Sequence, residues 1–538
     1  INSPHTKFDA MRIAVEGCAH GELETIYNTI THLEQAKNIK IDLLLICGDF
    51  QAVRNEDDLL VMACPMKYRH MRNFYKYYSG ELVAPVLTIF IGGNHESSQY
   101  LLELFHGGWV APNIYFLGFA NVLNFGGLRI GGLSGIYKSH HYRFGHYETP
   151  PFDGDQQRSI YHIRDFEVSQ LLQMKTRLDV FLTHDWPKDI VFHGNERKLF
   201  RFKAFLEEEV RDHSLGSPPA RELLDKLKPR YFFAAHLHVK FPALVVHENS
   251  CQTRFLALGK CIPKRDFLQI VEFPELESGS HIKLCYDPEW LSIVKKTYRY
   301  LLVNKNRMEL RISECFREQE FSASEDDLKS ISVLFDDDFT IPENFKTTVK
   351  PFDPSSKRAG RQTNYQQNLQ TFEYLKKLGL EDKFCKKFSS QNFSSAAASA
   401  SSSSVSDPNE IDIDDDDDDS KGDDGHWADS IMTPHSNSSS SFVTPSSSSS
   451  KSSRAPLSLP APLPSPSQAD SIANSATTPL RKALFLPPPV SLPGETDTLA
   501  SSTTTTPTLK RKALFLPPPK FTPTPPKKLK SDSETMIQ

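Results

Sequence analysis

Hydrophobic residues in the first half of the chain come in short unbroken runs, separated by turns or by stretches of helical spacing. MRIAVEG (11–17), IDLLLICGDF (41–50) and the start of APVLTIFIGGNHE (84–96) are continuous apolar runs rather than alternating ones. That is the pattern of strands covered on both faces. Between the first two, GELETIYNTITHLEQAKN (21–38) sets Leu23, Ile26, Tyr27, Ile30 and Leu33 on one face of a helix. Further strands are predicted at 113–118, 128–137, 178–184, 229–238, 255–260 and 267–273. Strands that alternate with helices early and then bunch together point to an α/β sandwich rather than a pure doubly wound sheet. EWLSIVKKTYRYLLV (289–303) has helical patterning. It marks a smaller C-terminal domain over 276–388, after a main domain over 11–275.

Composition changes this picture only at the ends. Of 538 residues, 38% are hydrophobic, and Ser, Pro and Asp accumulate in the last third. A segment that poor in apolar residues cannot offset its ordering entropy, so 389–538 reads as a disordered tail. Residues 1–10 precede the strand opening at Met11 and read as a flanking addition. No run of 18 apolar residues marks a membrane span, and no charged-then-apolar leader is visible. Eight scattered cysteines suit a reducing compartment better than a disulfide frame. Net charge is 62 minus 67, or −5, and the six aspartates from Asp414 to Asp419 account for it. An anionic partner is therefore not excluded. The tail holds RKALFLPPP twice, at 481–489 and 511–519, read as a simple duplication or a pair of short linear motifs. PPKKLK (525–530) resembles a nuclear-import signal.

The chemistry lies at the strand ends. Five apolar runs each finish on residues able to bind a metal: Cys18-Ala19-His20, Gly48-Asp49, Gly93-Asn94-His95-Glu96, His184-Asp185 and His236-Leu237-His238. Ligands of α/β sheets gather beyond the carboxyl ends of the strands, so five such ends can converge on one pocket. Asp49 has two oxygens and can bridge two cations. The histidines offer imidazole nitrogen, Asn94 a neutral carbonyl and Cys18 a soft sulfur. Imidazole suits zinc, iron and copper, and thiolate leans toward zinc or ferrous iron. Any one of these pieces alone is more often a turn or a capping residue; five in order carry the case for a two-metal site.

This order resembles the calcineurin-like metallophosphoesterase superfamily, with Cys18 where Asp is usual and Ala235 where Gly is usual. The wording GCAHGEL, CGDFQAVRNEDDL, FYKYYSGE, GGNHE, GGWVAPNIYFLG, GGLSGIYKSHHYR, THDWP and AHLHVKF is similar to the lariat RNA debranching family, in which Cys at the first ligand position is the rule. The likeness is dense over 11–275 and looser over 275–385. It implies the metallophosphoesterase α/β/β/α sandwich. It also implies one metal pocket of Cys18, His20, Asp49 and His238, and a second of Asp49, Asn94, His184 and His236. His95 would face substrate as general acid, and a lariat-recognition loop would span 134–164. The implied reaction is hydrolysis of the 2′-5′ phosphodiester of branched (lariat) intron RNA by a water acidified by the cations, with His95 protonating the departing 2′ oxygen. Intron turnover in the nucleus would follow. The soft Cys18 sulfur favours Fe(II), Zn(II) or Mn(II) over Mg(II), and makes the site oxidation-sensitive if it is exposed.

RNA needs cations for phosphates and aromatics for unstacked bases. KYRHMRNFYKYY (67–78) and YKSHHYRFGHYE (137–148) interleave the two. Tyr68, Lys138, His140, Arg143 and Arg158 are the expected RNA contacts; for the first stretch an ordinary amphipathic helix is equally compatible. NERKLFRFKAF (195–205) reads as a solvated basic helix face. Two other readings compete with debranching. One is a different metallophosphoesterase, such as a protein phosphatase or cyclic-nucleotide phosphodiesterase; the phosphatase family expects Asp-Arg-Gly soon after Gly-Asp, and GDFQAVRN lacks it. A scaffold that has lost its metals would have lost ligands, and every ligand position here holds a competent residue. Glu96 is read as orienting His95 or as a surface residue.

Overall fold

The computed structural model describes residues 9–389 except 249, 305 and 357, together with a two-residue strand at Phe485–Leu486. The apolar runs form two seven-stranded sheets. In the first, Ala10–Glu16, Leu43–Ile46, Leu87–Phe90 and Ile114–Phe116 lie parallel in that order. Gly108–Ala111 closes one side antiparallel, and Leu268–Glu277 flanks Ala10–Glu16 antiparallel. Phe485–Leu486 then adds parallel to Leu268–Glu277, pairing with Ile270 and Val271. That strand is the Phe-Leu of the first RKALFLPPP copy.

The second sheet has a parallel centre of Leu128–Leu133, Val180–Thr183, Tyr231–Ala234 and Gln252–Ala257. Ala120–Phe125 and Phe241–Val246 pair antiparallel at its flanks, and Leu284–Tyr286 adds beyond Ala120–Phe125. The period of two along each strand separates two destinations. Ile13, Val15, Leu43, Leu45 and Ile89 meet Ile130, Val180, Leu182, Tyr231 and Phe233 between the sheets. Ala14, Leu44, Ile46, Phe90 and Phe116 face outward onto Leu23, Ile26, Tyr27 and Ile30 of helix Leu23–Lys37. Phe181 and Phe232 face outward on the other side, onto helices Asp165–Leu171, Pro218–Leu227 and Pro288–Thr297. The result is the α/β/β/α sandwich. Each fully buried Leu, Ile or Phe in these layers contributes about 1.5–3 kcal/mol.

The C-terminal region is held to the sandwich by polar contacts as well as by its core. Arg129 reaches Asp287 at 2.8 Å and Glu289 at 2.9 Å. The Trp109 indole donates to the Pro342 carbonyl at 2.8 Å. The helix predicted over 289–303 is Pro288–Thr297, with one further tight turn over Tyr298–Tyr300. No described helix is long and apolar enough to cross a membrane. Of residues 1–10 only 9 and 10 are described, with the first strand starting at Ala10. The last helix runs over Lys383–Ser389. The expected disordered tail, apart from Ser389 and Phe485–Leu486, lies outside the described residues, as do the second RKALFLPPP copy, the acidic run and PPKKLK.

Candidate metal centre

The parallel strands of both sheets end on the same side of the sandwich, and the chain must turn sharply there to bring side chains inward. His20 (φ 43°), Asp49 (φ 46°), Gln51 (φ 60°), His236 (φ 65°) and His238 (φ 52°) all sit in the left-handed region. Non-glycine residues rarely adopt it, and such strain clusters at functional sites. Here it lets His236 and His238, two apart, aim into one cavity while Leu237 between them is buried. Gly48 and Gly93 make the close approach possible. A Cβ on Gly93 would stand 2.2 Å from Asp49 Oδ1, and one on Gly48 2.3 Å from His184 Nδ1.

Two groups of acceptors result. Cys18, His20, Asp49 and His238 each place a ligand atom within 4.8 Å of the others. Within that set His20 Nε2 lies 3.2 Å from His238 Nε2 and 3.7 Å from Asp49 Oδ2. On the other side of Asp49, His184 Nε2 lies 3.3 Å from Asp49 Oδ1 and 3.2 Å from Asn94 Oδ1. The His236 ring centroid is 5.0 Å from that of His184. Cys18 is wholly buried, and its Sγ accepts the His236 backbone N–H at 3.2 Å. The six other expected ligands thus flank Asp49 on both sides.

The tautomers decide whether this set fits cations. His184 Nδ1 is 2.8 Å from the Cys47 carbonyl, so it carries the proton and Nε2 turns a lone pair toward Asp49 and Asn94. The Gln51 side chain lies 3.3 Å from His20 Nδ1, while its own Oε1 is buried without a partner among the described residues. Turning that amide over lets Oε1 accept from His20 Nδ1–H and directs the His20 Nε2 lone pair at His238 and Asp49. Acceptors then face acceptors across 3.2–3.3 Å. Those are ligand-to-ligand separations around a cation with bonds of about 2.0–2.1 Å. The residues fit a pair of divalent cations.

For Asp49, His236 and His238 the electrostatics agree. Burial would raise the Asp49 carboxyl, but His184, His95 and His20 hold it well below the usual carboxylate range. Burial and the neighbouring His184 push His236 down to about 3, and burial with His20 depresses His238 strongly, so both imidazoles are neutral at physiological pH. Burial, then Asp49 and Glu16, push the Cys18 thiol up. A coordinating cation reverses that bias and takes the thiol as thiolate. The full burial of Cys18 removes the exposure on which its expected oxidation sensitivity depended.

Glu96 does not orient His95. Its Oε1 accepts the backbone N–H of Phe50 at 2.7 Å and Gly93 at 3.0 Å, and its Oε2 that of Gln51 at 2.9 Å. It ties the Asp49 turn to the Asn94 turn, and burial with Asp49 nearby raises its pKa to about 8. His95 is half-buried, its backbone N–H donating to Asp49 Oδ1 at 2.8 Å and its ring 5.3 Å from that of His20.

The expected RNA contacts divide. Most of 67–78 is structural: Phe74, Tyr77 and Tyr78 are buried, Arg72 pairs with Glu22 at 2.7 Å, and Lys76 pairs with Glu24 at 2.8 Å. Tyr68 is half-buried against Val53 and Met62. In the loop 134–164, the Tyr137 backbone N–H donates to Asp185 at 3.1 Å, so Lys138 follows a residue tied to the His184-Asp185 turn. His140 and Arg143 are exposed, and Arg158 is half-buried. In the basic stretch 195–205, Arg197 and Arg201 are solvated but Lys203 is buried. Sequence reasoning missed Gln51, which carries no motif signal, and Glu16, whose buried carboxylate oxygens have no partner among the described residues.

Comparison with known proteins adds two family matches. Residues 11–240 match calcineurin-like phosphoesterase, and residues 250–383 match the lariat debranching enzyme C-terminal domain. The lariat debranching enzyme of Danio rerio is 52% identical over 378 residues, covering 69% of this chain and 66% of that protein. That of Homo sapiens is 49% identical over 379 residues, covering 69% and 70%. That of Arabidopsis thaliana is 47% identical over 371 residues, covering 69% and 86%. The chain spans about two thirds of the length of the Danio rerio relative.

Proposed function

The chain belongs to the lariat debranching enzyme family, and on that premise we propose that it hydrolyses the 2′-5′ phosphodiester at the branch point of excised introns, at a two-cation centre, and so feeds intron turnover in the nucleus. It is a hydrolase of the metal-dependent phosphodiesterase class. The observation that carries the reading is the convergence of six donors on the shared Asp49, the seven residues coming from five strand ends. Cys18, His20, Asp49 and His238 would hold one cation; Asp49, Asn94, His184 and His236 would hold the other. Such cations, when bound, neutralise phosphate charge and acidify a water. One thiolate among imidazoles favours Fe(II), Zn(II) or Mn(II) over Mg(II). Nuclear location is supported by the PPKKLK sequence.

The protein's own residues supply the rest. The Asp49 hydrogen bond to the His95 backbone fixes the Asn94–His95 turn. Asn94 then points inward, and the half-buried His95 ring is left at the mouth. There it donates a proton to the departing 2′ oxygen. Lys138 meets a phosphate of the branch. His140, Arg143 and Arg158 extend the contact along the RNA, and Tyr68 offers a ring edge to a base. His95→Ala tests the assignment. It should retain the wild-type metal content and lose about 10²–10⁴-fold in turnover on a branched RNA, the usual worth of general acid catalysis. Full turnover in that variant would refute the proton-donor role.

A further inference from the structure

Three histidines stand together away from Asp49. His140 and His141 lie in the one-turn helix Ser139–Tyr142, and His162 follows the turn Gln156–Ser159. One ring nitrogen from each lies within 4.8 Å of the others. His141 Nδ1 and His162 Nδ1 are 2.7 Å apart, and both rings are buried. His140 is exposed and tops the pair, its ring centroid 4.2 Å from that of His141. His162 Nε2 is buried with no partner among the described residues.

We propose that His140, His141 and His162 form a separate binding site for a borderline-soft divalent cation such as Zn(II), which pins the two ends of the 134–164 loop together. An all-imidazole donor set selects zinc, copper or nickel over magnesium and calcium. Both buried rings are already neutral: burial, then Arg164, holds His141 down to about 4 and depresses His162 strongly. A cation replaces the proton that the two Nδ1 atoms share. That proton moves to Nε2 of its own ring, where Tyr147 stands 3.3 Å from His141 Nε2 and no described residue meets His162 Nε2. No net proton is released. The rings must part, from 2.7 Å to the roughly 3.3 Å between ligands of a tetrahedral cation. His140 must swing in, a movement that its exposure permits.

Arg164 and Lys138 oppose a positive charge here, and Glu148 and Asp155 offset them. Arg164 is committed to the Glu148 carboxylate and to the carbonyls of His141 and Ser159. The site closes on itself through the loop, not through Asp49, so it stands whether or not branched RNA is the substrate.

Zinc counting on the full chain tests this. Wild type, His140→Ala and His162→Gln are loaded with Zn(II), freed of excess and analysed for metal. Hydrogen exchange of peptides covering 136–165 is followed with and without Zn(II). Wild type should retain one more zinc per chain than either variant, with Zn(II) slowing exchange in that loop of wild type only. Losing one of three ligands should weaken the site by roughly 100-fold or more, beyond the 10–100-fold of outer partners. Equal zinc content in wild type and His140→Ala, or loop exchange indifferent to Zn(II), would overturn the proposal. The exposed His140 keeps the test valid should His162→Gln fail to fold.

Discussion

Individual side chains at the centre divide into those a reader of the sequence can find and those only the fold reveals. Cys18, His20, Asp49, Asn94, His184, His236 and His238 were legible because each follows an apolar strand, and parallel strands deliver their ends to one edge. Gln51 and Glu96 were not. Gln51 acts on a ring 31 residues away, and Glu96 binds backbone amides 45 and 46 residues away, which no local spacing encodes. Glu96 has a measurable task. Both of its oxygens accept from main-chain N–H groups, so Glu96→Gln turns an NH2 group against an N–H donor and leaves that donor unpaired, at a cost of about 1–3 kcal/mol. The Asp49 turn should loosen. The variant should bind its cations about 10-fold or more weakly, with turnover falling in step and partly recovering at high metal concentration. Unchanged metal affinity would show that the turn holds its shape without the carboxylate.

Elements were read more accurately in position than in extent. Most central strands lie inside the apolar runs that announce them, shorter by a few residues, whereas Ala10–Glu16 and Gln252–Ala257 keep the expected length and start one and three residues earlier. Gly108–Ala111, Ala120–Phe125, Phe241–Val246 and Leu284–Tyr286 were missed. Phe241–Val246 shows why: its outward side chains Pro242, Leu244 and Val246 are themselves apolar, so the buried–exposed alternation leaves no polar signature. The fit between elements also stores a pH dependence. His106 follows helix Ser98–Glu103 and packs between Phe105, Tyr298 and Tyr374 of helix Leu369–Leu378. Burial lowers its pKa to about 3. The unfolded chain, with an ordinary histidine near 6.5, therefore binds the proton first as pH falls. The stabilising contribution is complete above about pH 6.5 and is lost progressively toward pH 3. At pH 5 this residue alone should remove about 2 kcal/mol. His106→Phe, which keeps a ring in the stack, should flatten the fall in melting temperature between pH 7 and 5. An unchanged slope would place the acid sensitivity elsewhere.

At the scale of the whole molecule, the catalytic sandwich and the C-terminal region share a buried polar network as well as core. Arg54 donates to Asp58 at 2.8 and 3.0 Å, to Glu103 at 3.1 Å and to Thr348 at 2.8 Å, with Tyr100 beneath its guanidinium. Removing only the cation strands two buried carboxylates, which typically costs about 3–5 kcal/mol. Arg54→Met should thus lower the melting temperature by several degrees while leaving the cation ligands in place. A variant as stable as wild type would mean that Asp58 and Glu103 simply take up protons.

The network lies beside the turn that carries Asp49, so the region after residue 276 supports the centre without supplying a ligand to it. That support was invisible in the sequence, because Thr348 and Arg54 are joined only across the folded chain. The most direct measurement of the central claim is cleavage of a synthetic 2′-5′ branched RNA by the full chain loaded with Mn(II), beside a linear RNA of the same bases. The account predicts a cut at the branch alone, giving a linear 5′-phosphate product, and no cut once a chelator has stripped the metal. An intact branch, or equal cutting of linear and branched strands, would contradict it.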